Sequence, residues 1–209
     1  MKPLTALVCL LAVGATAPSP IEDAILGFRL AEAARRASDA DLMLSAARLV
    51  AGSGLRGATL KNGRLEAREG LPDTSDEALA LAEEARLLAP RDRRIAEEVD
   101  RLRSARPKGI IGGSWGSGPL EFREVLAPGG IIAWTVEARG AETALVSAIG
   151  DGDAGLRLRV VDGRGRAVCD QRGDSHYPLC RWSPPRAGQY RVSLGNAGRV
   201  PTRVVVLSN

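Results

Sequence analysis

Hydrophobic positions along the 209-residue chain change their period near its middle. In the first half Ile21, Ile25, Phe28 and Ala31 recur at three- and four-residue intervals, the spacing that lines one face of a helix. Ser38 with Asp41 reads as a capping box ahead of Leu42, Ala46, Leu49 and Val50, and Gly52-Ser53-Gly54 stops that helix. Thr74 with Glu77 repeats the capping signature before Leu79, Ala82, Ala85 and Leu88. Pro90 interrupts, and Ile95, Val99 and Leu102 predict a fourth helix. The polar, glycine-dotted stretch 52–72 has room for a turn or hairpin and is assigned to no element.

Beyond Pro107 and Gly112-Gly113 the period shortens to two. Runs rich in β-branched and aromatic residues cover 120–126, 131–138, 143–149, 156–161, 167–169, 179–182, 189–194 and 203–207. Pro128-Gly129-Gly130, Gly150-Asp151-Gly152, Asp162-Gly163, Pro184-Pro185 and Asn196-Ala197-Gly198 supply the turns between them. About eight short strands at this spacing predict an antiparallel β-sandwich or jelly roll. The fold class is therefore α+β and multidomain: α-helical hairpins over 18–106, a Gly-rich linker over 107–118, and the sandwich over 119–209.

Ahead of both halves, Lys2 precedes an apolar run from Leu4 to Val13 that ends in small residues, the three-part pattern of a secretory signal over residues 1–17. Cleavage fits after Ala15 or after Ala17. The run is about ten residues against the roughly 20 a membrane-spanning helix needs, so it predicts removal and no membrane span. A periplasmic or secreted location follows. Removal takes away Cys9 and leaves Cys169 and Cys180, an even pair that reads as a disulfide in an oxidising compartment. Those two thiols and the single His176 fall short of a structural zinc set.

Charge adds little to this picture. Residues 18–106 carry 15 basic and 16 acidic side chains, and residues 107–209 carry 13 and 9. The excess on the second half favours an acidic partner but is too small and scattered for a nucleic-acid stripe. Leu156-Arg157-Leu158-Arg159-Val160 alternates as a solvated strand face does.

Two resemblances bear on architecture. Ala47-Arg48-Leu49-Val50-Ala51 and Ala85-Arg86-Leu87-Leu88-Ala89 match at a fixed offset, and the helix pairs with small residues at their crossings resemble tetratricopeptide-type hairpins, whose usual period of about 34 residues this offset exceeds. In the second half, Gly150-Asp151-Gly152-Asp153 is followed by Leu156-x-Leu158-x-Val160-Val161-Asp162. Cys180-x-Trp182-x-Pro184, Gly188-x-Tyr190-x-Val192 and Gly195-Asn196-x-Gly198 come next. In this order the motifs resemble the bacterial pre-peptidase C-terminal domain, a jelly-roll module of secreted proteins. The whole chain resembles uncharacterised exported bacterial proteins. Relatives of the module usually begin the strand Asp-Leu-Asp-Leu. Here that place reads Gly155-Leu156-Arg157-Leu158, which removes carboxylates that a calcium role would use.

Candidate chemistry is sparse. Gly112-Gly113-Ser114-Trp115-Gly116 matches the nucleophile-elbow pattern, but that chemistry needs a strand-to-helix turn with Asp and His following, and here a helix precedes and strands follow. An inter-domain linker accounts for the motif better. His176 lies inside the cysteine loop and reads as an exposed loop residue. Asp151 and Asp153, with Asp162 beyond, are the candidate oxygen ligands for calcium, weighed against ordinary Asp-Gly hairpin turns. Trp134, Trp182 and Tyr190 are candidates for a sugar-stacking platform, weighed against a role as sandwich core. Arg172-Gly173-Asp174 spells an adhesion tripeptide without supporting context. No catalytic residue is assigned, and no cofactor apart from the calcium candidate.

These readings lead to a non-enzymatic exported protein. Its β-sandwich binds or stabilises, and its helices dock another envelope or secreted protein. A hydrolase or protease accessory using Ser114 or the Asp151/Asp153 turn is the alternative, and a glycan-binding module is a further one.

Overall fold

The computed structural model describes residues 19–68, 75–105 and 119–209. The predicted signal segment with both cleavage positions, Thr74, and the 107–118 linker with Ser114 lie outside the described residues.

Four helices form where the apolar spacing predicts them: α1 (Pro20–Ala37), α2 (Ala40–Gly52), α3 (Asp76–Leu88) and α4 (Arg93–Ser104). Their caps differ in detail from the expectation. α1 opens on a capping box in which the Ser19 side chain accepts from the Glu22 N–H and the Glu22 carboxylate accepts from the Ser19 N–H. Ser38, expected to cap α2, is instead the left-handed C-cap of α1, with φ 52°. The turn is so short that Asp39 is left as the cap of α2, accepting from the Leu42 N–H at 2.9 Å. At α3 the cap is Ser75, one residue beyond Thr74. The matched pentapeptides fall on α2 and α3, the second helix of one hairpin and the first of the next, so they do not occupy equivalent places in a repeat.

Small residues let the helices approach closely. Ala24, Ala31, Ala34, Ala46, Ala47, Ala82 and Ala85 are fully buried. A Cβ on Gly27 would stand 2.7 Å from the Val50 side chain and 3.0 Å from the Ala46 carbonyl. The α1–α2 contact therefore has no room for a larger residue at that position.

The unassigned stretch holds a hairpin, β1 (Arg56–Lys61) and β2 (Arg64–Ala67). Asn62 and Gly63 form its two-residue turn with φ 50° and 72°, the left-handed pair that a type I′ turn requires. The eight expected strands follow: β3 (Leu120–Leu126), β4 (Ile131–Ala138), β5 (Ala144–Gly150), β6 (Leu156–Asp162), β7 (Ala167–Gln171), β8 (Leu179–Trp182), β9 (Gly188–Asn196) and β10 (Thr202–Ser208). They make two sheets, β7-β6-β9-β4 and β3-β10-β5-β8, and the hairpin joins them into one order, β7-β6-β9-β4-β2-β1-β3-β10-β5-β8. β1 runs parallel to β3 through Arg56–Leu120 and Gly57–Glu121, and β2 runs parallel to β4 through Arg64–Thr135. Residues from within the expected helical segment thus complete the sandwich, and Ala58 is buried in its core.

Inward residues of both sheets share one core, including Phe122, Trp134, Val146, Leu158, Val160, Tyr190, Val192 and Val206. A second core lies between the helices and the outer face of β3-β10-β5-β8. Leu145, Ile149 and Leu207 pack there with Ile21, Phe28, Met43 and Leu44. β5 is consequently buried at every position, which explains its nearly continuous apolar run. The layers are helices, covered sheet, and a second sheet whose outer face carries exposed Arg157, Arg159 and Arg191.

Cys169 on β7 and Cys180 on β8 form a disulfide, with Cα atoms 5.8 Å apart. These strands are the two ends of the sheet order, so the bond closes the side opposite the hairpin. A loop of this size stabilises by about 3 kcal/mol on the chain-entropy model. Reduction, or Cys169→Ser with Cys180→Ser, is expected to lower the melting temperature by roughly 6–12 °C. Thermal scans with and without a reductant measure it.

Candidate functional site

The structure places the predicted calcium ligands apart in role. Asp151 ties the end of β5 to the start of β10: its carboxylate accepts from the Thr202 hydroxyl at 2.7 Å, the Arg203 N–H at 2.9 Å and the Asp153 N–H at 3.3 Å. Partial burial pushes its pKa up, but these donors outweigh that and hold it below the usual carboxylate range. Asp162 organises the β6–β7 turn by accepting from the Arg164 and Arg166 amides and the Arg166 guanidinium. The Arg166 amide leads in lowering its pKa. Asp153 is exposed. Among the described residues no three Asp, Glu, His or Cys side chains gather into a set that could hold a metal ion.

His176 is half-buried rather than exposed, because the cysteine loop folds against α1. Glu32 of α1 accepts from the Tyr177 hydroxyl at 2.8 Å, lies 3.5 Å from His176 Nε2, and pairs with Arg36 at 2.6 Å. The hydrogen bond from Tyr177 leads in lowering the Glu32 pKa. Burial, then donation to Glu32, pushes the Tyr177 hydroxyl up to about 12. Arg29 stands over the Tyr177 ring, 5.5 Å from its centroid. This cluster fastens the disulfide loop to the helices, and both imidazole and phenol are committed to that contact.

A second polar joint sits beneath α3. Glu121 on β3 is 2% exposed and accepts from the Ser75 hydroxyl at 3.0 Å. Its other oxygen has no partner among the described residues. Burial first, and the nearby Glu77 carboxylate second, raise its pKa to about 7.

The aromatic candidates are core. Trp134 is 1% exposed and packs edge-on to Phe122 at 5.4 Å between ring centroids. Trp182 and Tyr190 are 8% and 7% exposed and meet at 5.5 Å. None presents a ring face for a sugar. Arg172 and Asp174 of the adhesion tripeptide are exposed near the end of β7.

What remains open is the outer face of β7-β6-β9-β4-β2. Register brings Arg157 opposite Gly195 and Ile131, Arg159 opposite Ser193 and Ala133, and Arg191 opposite Thr135, which pairs in turn with Arg64. Beside a depression of about 660 Å³ at the β2–β4 junction, next to Arg64, Thr135, Glu137 and Gln189, two smaller ones lie on it. One of about 380 Å³ is lined by Arg157, Arg159, Arg172 and Ser193, and one of about 230 Å³ by Arg64, Arg191, Ala133 and Asn62. The β6 alternation is legible in the sequence as a solvated strand face. That Arg191 and Arg64 join it depends on the β6-β9-β4-β2 order, which no local pattern encodes.

Two outcomes check these assignments. Trp134→Ala is expected to cost about 3–5 kcal/mol of stability, as core truncations do, measured by denaturant unfolding. For Glu121 the folded state holds its proton up to about pH 7, whereas the unfolded chain releases it near 4.5. Its stabilisation is therefore full below pH 4.5 and is lost as pH rises through 7, by about 3 kcal/mol. Glu121→Gln should remove that pH dependence and exceed the native protein in stability at pH 8.

No protein-family model matches the sequence, and none of the curated proteins does. Among solved structures, the pre-peptidase C-terminal domain of a collagenase from Bacillus anthracis is similar at 11% identity and a TM-score of 0.38, covering 50% of this chain and 99% of that one. PliG of Aeromonas hydrophila, a periplasmic inhibitor of g-type lysozyme, is similar at 15% identity and a TM-score of 0.32, covering 48% of this chain and 95% of that one. PliG of Salmonella Typhimurium is similar at 12% identity and a TM-score of 0.32, covering 48% and 94%.

Proposed function

We propose that this chain is an exported, non-enzymatic binding protein of the periplasm or the extracellular medium. Its binding face is the outer surface of β7-β6-β9-β4-β2, and its helices brace the opposite sheet. The asymmetry of the sandwich carries this reading. One sheet has the part of its outer face around β5 buried under α1 and its neighbours, with Leu145, Ile149 and Leu207 in the shared core. The other presents a row of exposed side chains with two depressions and no covering helix among the described residues. A broad uncovered face held by a rigid, cross-linked scaffold is the arrangement a binding module uses.

The charge-then-apolar order of residues 1–17 and the Cys169–Cys180 bond support export. The polar clusters around Asp151, Asp162, Glu32 and Glu121 each have a structural task, which favours binding over hydrolysis. The partner in this reading is a macromolecule of the envelope or the medium.

A photo-crosslinking residue placed at Ser193 tests the proposal, with one at Ser45 on the helices as comparison. The expected result is an adduct with an envelope macromolecule from position 193. No adduct from 193, together with turnover of a substrate by the purified protein, would sink the reading.

A further inference from the structure

We infer that the outer face of β7-β6-β9-β4-β2 binds a linear anionic polysaccharide. This deepens the binding reading above and rests on it. Five arginines form the site: Arg172 beside the edge strand, Arg157 and Arg159 on β6, Arg191 on β9 and Arg64 on β2. At the usual spacing between strands, the stripe from β7 to β2 spans roughly 19 Å. Such a row suits an extended chain with repeated negative groups better than a single small anion.

Three of these arginines differ in state from the guanidinium groups that brace the fold. Elsewhere guanidinium groups stitch elements together: Arg35 to Glu84 between α1 and α3, Arg48 to Glu98 and Arg94 to Asp41 between α2 and α4, and Arg181 to Glu22 between β8 and α1. Arg64, Arg157 and Arg191 have no carboxylate partner among the described residues. Arg159 and Arg172 share a single one, Asp170, at 3.9 and 2.6 Å. Other carboxylates of this face lie at its margin. Glu137 is engaged by the Gln189 amide at 3.2 Å, and Glu66 by Lys61 at 3.3 Å. The middle of the stripe therefore keeps unneutralised forks, the geometry that takes carboxylate, sulfate or phosphate oxygens in pairs.

The residues between the arginines narrow the class of polymer. Ser193, Thr135, Ala133 and Gly195 leave a low surface with hydroxyls that suit sugar hydroxyls. A protein partner would need clustered apolar anchors, and the large apolar side chains exposed on this face, Ile131 at 72% and Val168 at 39%, stand apart on β4 and β7. A nucleic-acid strand would use aromatic platforms, and the aromatic residues of these strands, Trp134 and Tyr190, point into the core. Charge with small polar residues, and without stacking rings, favours the acidic glycan.

The experiment is a binding titration of the mature full chain with polygalacturonate at low salt. Neutral dextran, poly-glutamate and duplex DNA serve as comparisons. Polygalacturonate should bind most tightly, with an affinity that falls as salt rises. Arg157→Gln with Arg191→Gln should weaken binding at least tenfold at an unchanged melting temperature, since both side chains are exposed. Arg91→Gln with Arg93→Gln, which removes equal charge from the helical side, should leave it unchanged. Equal loss in both pairs, tighter binding of poly-glutamate or DNA, or no retention of polygalacturonate would overturn the inference. An adduct between position 193 and a protein alone would also overturn it, while leaving the binding face itself standing.

Discussion

The structure depends on the hairpin of residues 56–67 completing a sandwich made by residues 120–208. Two four-stranded sheets packed face to face leave two open sides, each with unpaired backbone donors and acceptors at the strand edges. On one side β1 and β2 pair with β3 and β4 and bridge the sheets. On the other, Cys169 and Cys180 clamp β7 to β8. Each closure uses a different chemistry, hydrogen bonds on one side and a covalent bond on the other. Because the hairpin lies between α2 and α3, its insertion also fixes the helices against the covered sheet. Arg68 of the hairpin's exit pairs with Asp76 at 2.8 Å, and Arg123 of β3 pairs with Glu77.

That constraint decides which surface is available. Where α1 and its neighbours cover β5, its outer residues are apolar or hydrogen-bonded: Leu145 and Ile149 join the helical core, and Ser147 between them donates to the Pro178 carbonyl at 2.9 Å. The uncovered sheet carries exposed arginines on its outer face. Packing against the helices thus falls to one sheet and the proposed binding surface to the other. β5 of the covered sheet is buried on both faces, whereas β6 of the open one alternates buried and exposed positions.

Local chemistry was legible wherever the decisive interaction lies close in sequence. The apolar spacing located all four helices, and the alternation with turn residues located eight strands, with the bounds of β3, β4 and β8 reproduced. The caps slipped by a residue because Ser, Thr and Asp stand side by side at 38–39 and 74–75, and only the final turn geometry selects among them. The hairpin carried its own signal, Asn62-Gly63 between apolar residues, yet its partners β3 and β4 lie over 50 residues away in the chain. The half-burial of His176 likewise comes from Glu32, 144 residues distant. Long-range pairing was what the sequence could not supply, and the arginine stripe is its clearest product.

The stripe is also tied to the features that hold the fold. Asp170, which orients Arg159 and Arg172, follows the disulfide-bonded Cys169 directly on β7. Arg64 sits at the single register point where the hairpin meets β4. The two ends of the row are therefore positioned by the two closures of the sandwich, and its centre by the continuous β6-β9-β4 ladder. Arginine side chains carry large rotamer entropy, so a row of them binds well only when its backbone spacing is rigid. A scaffold clamped at both edges provides that rigidity and leaves only the side chains to order on binding. Stability and recognition here rest on the same two closures.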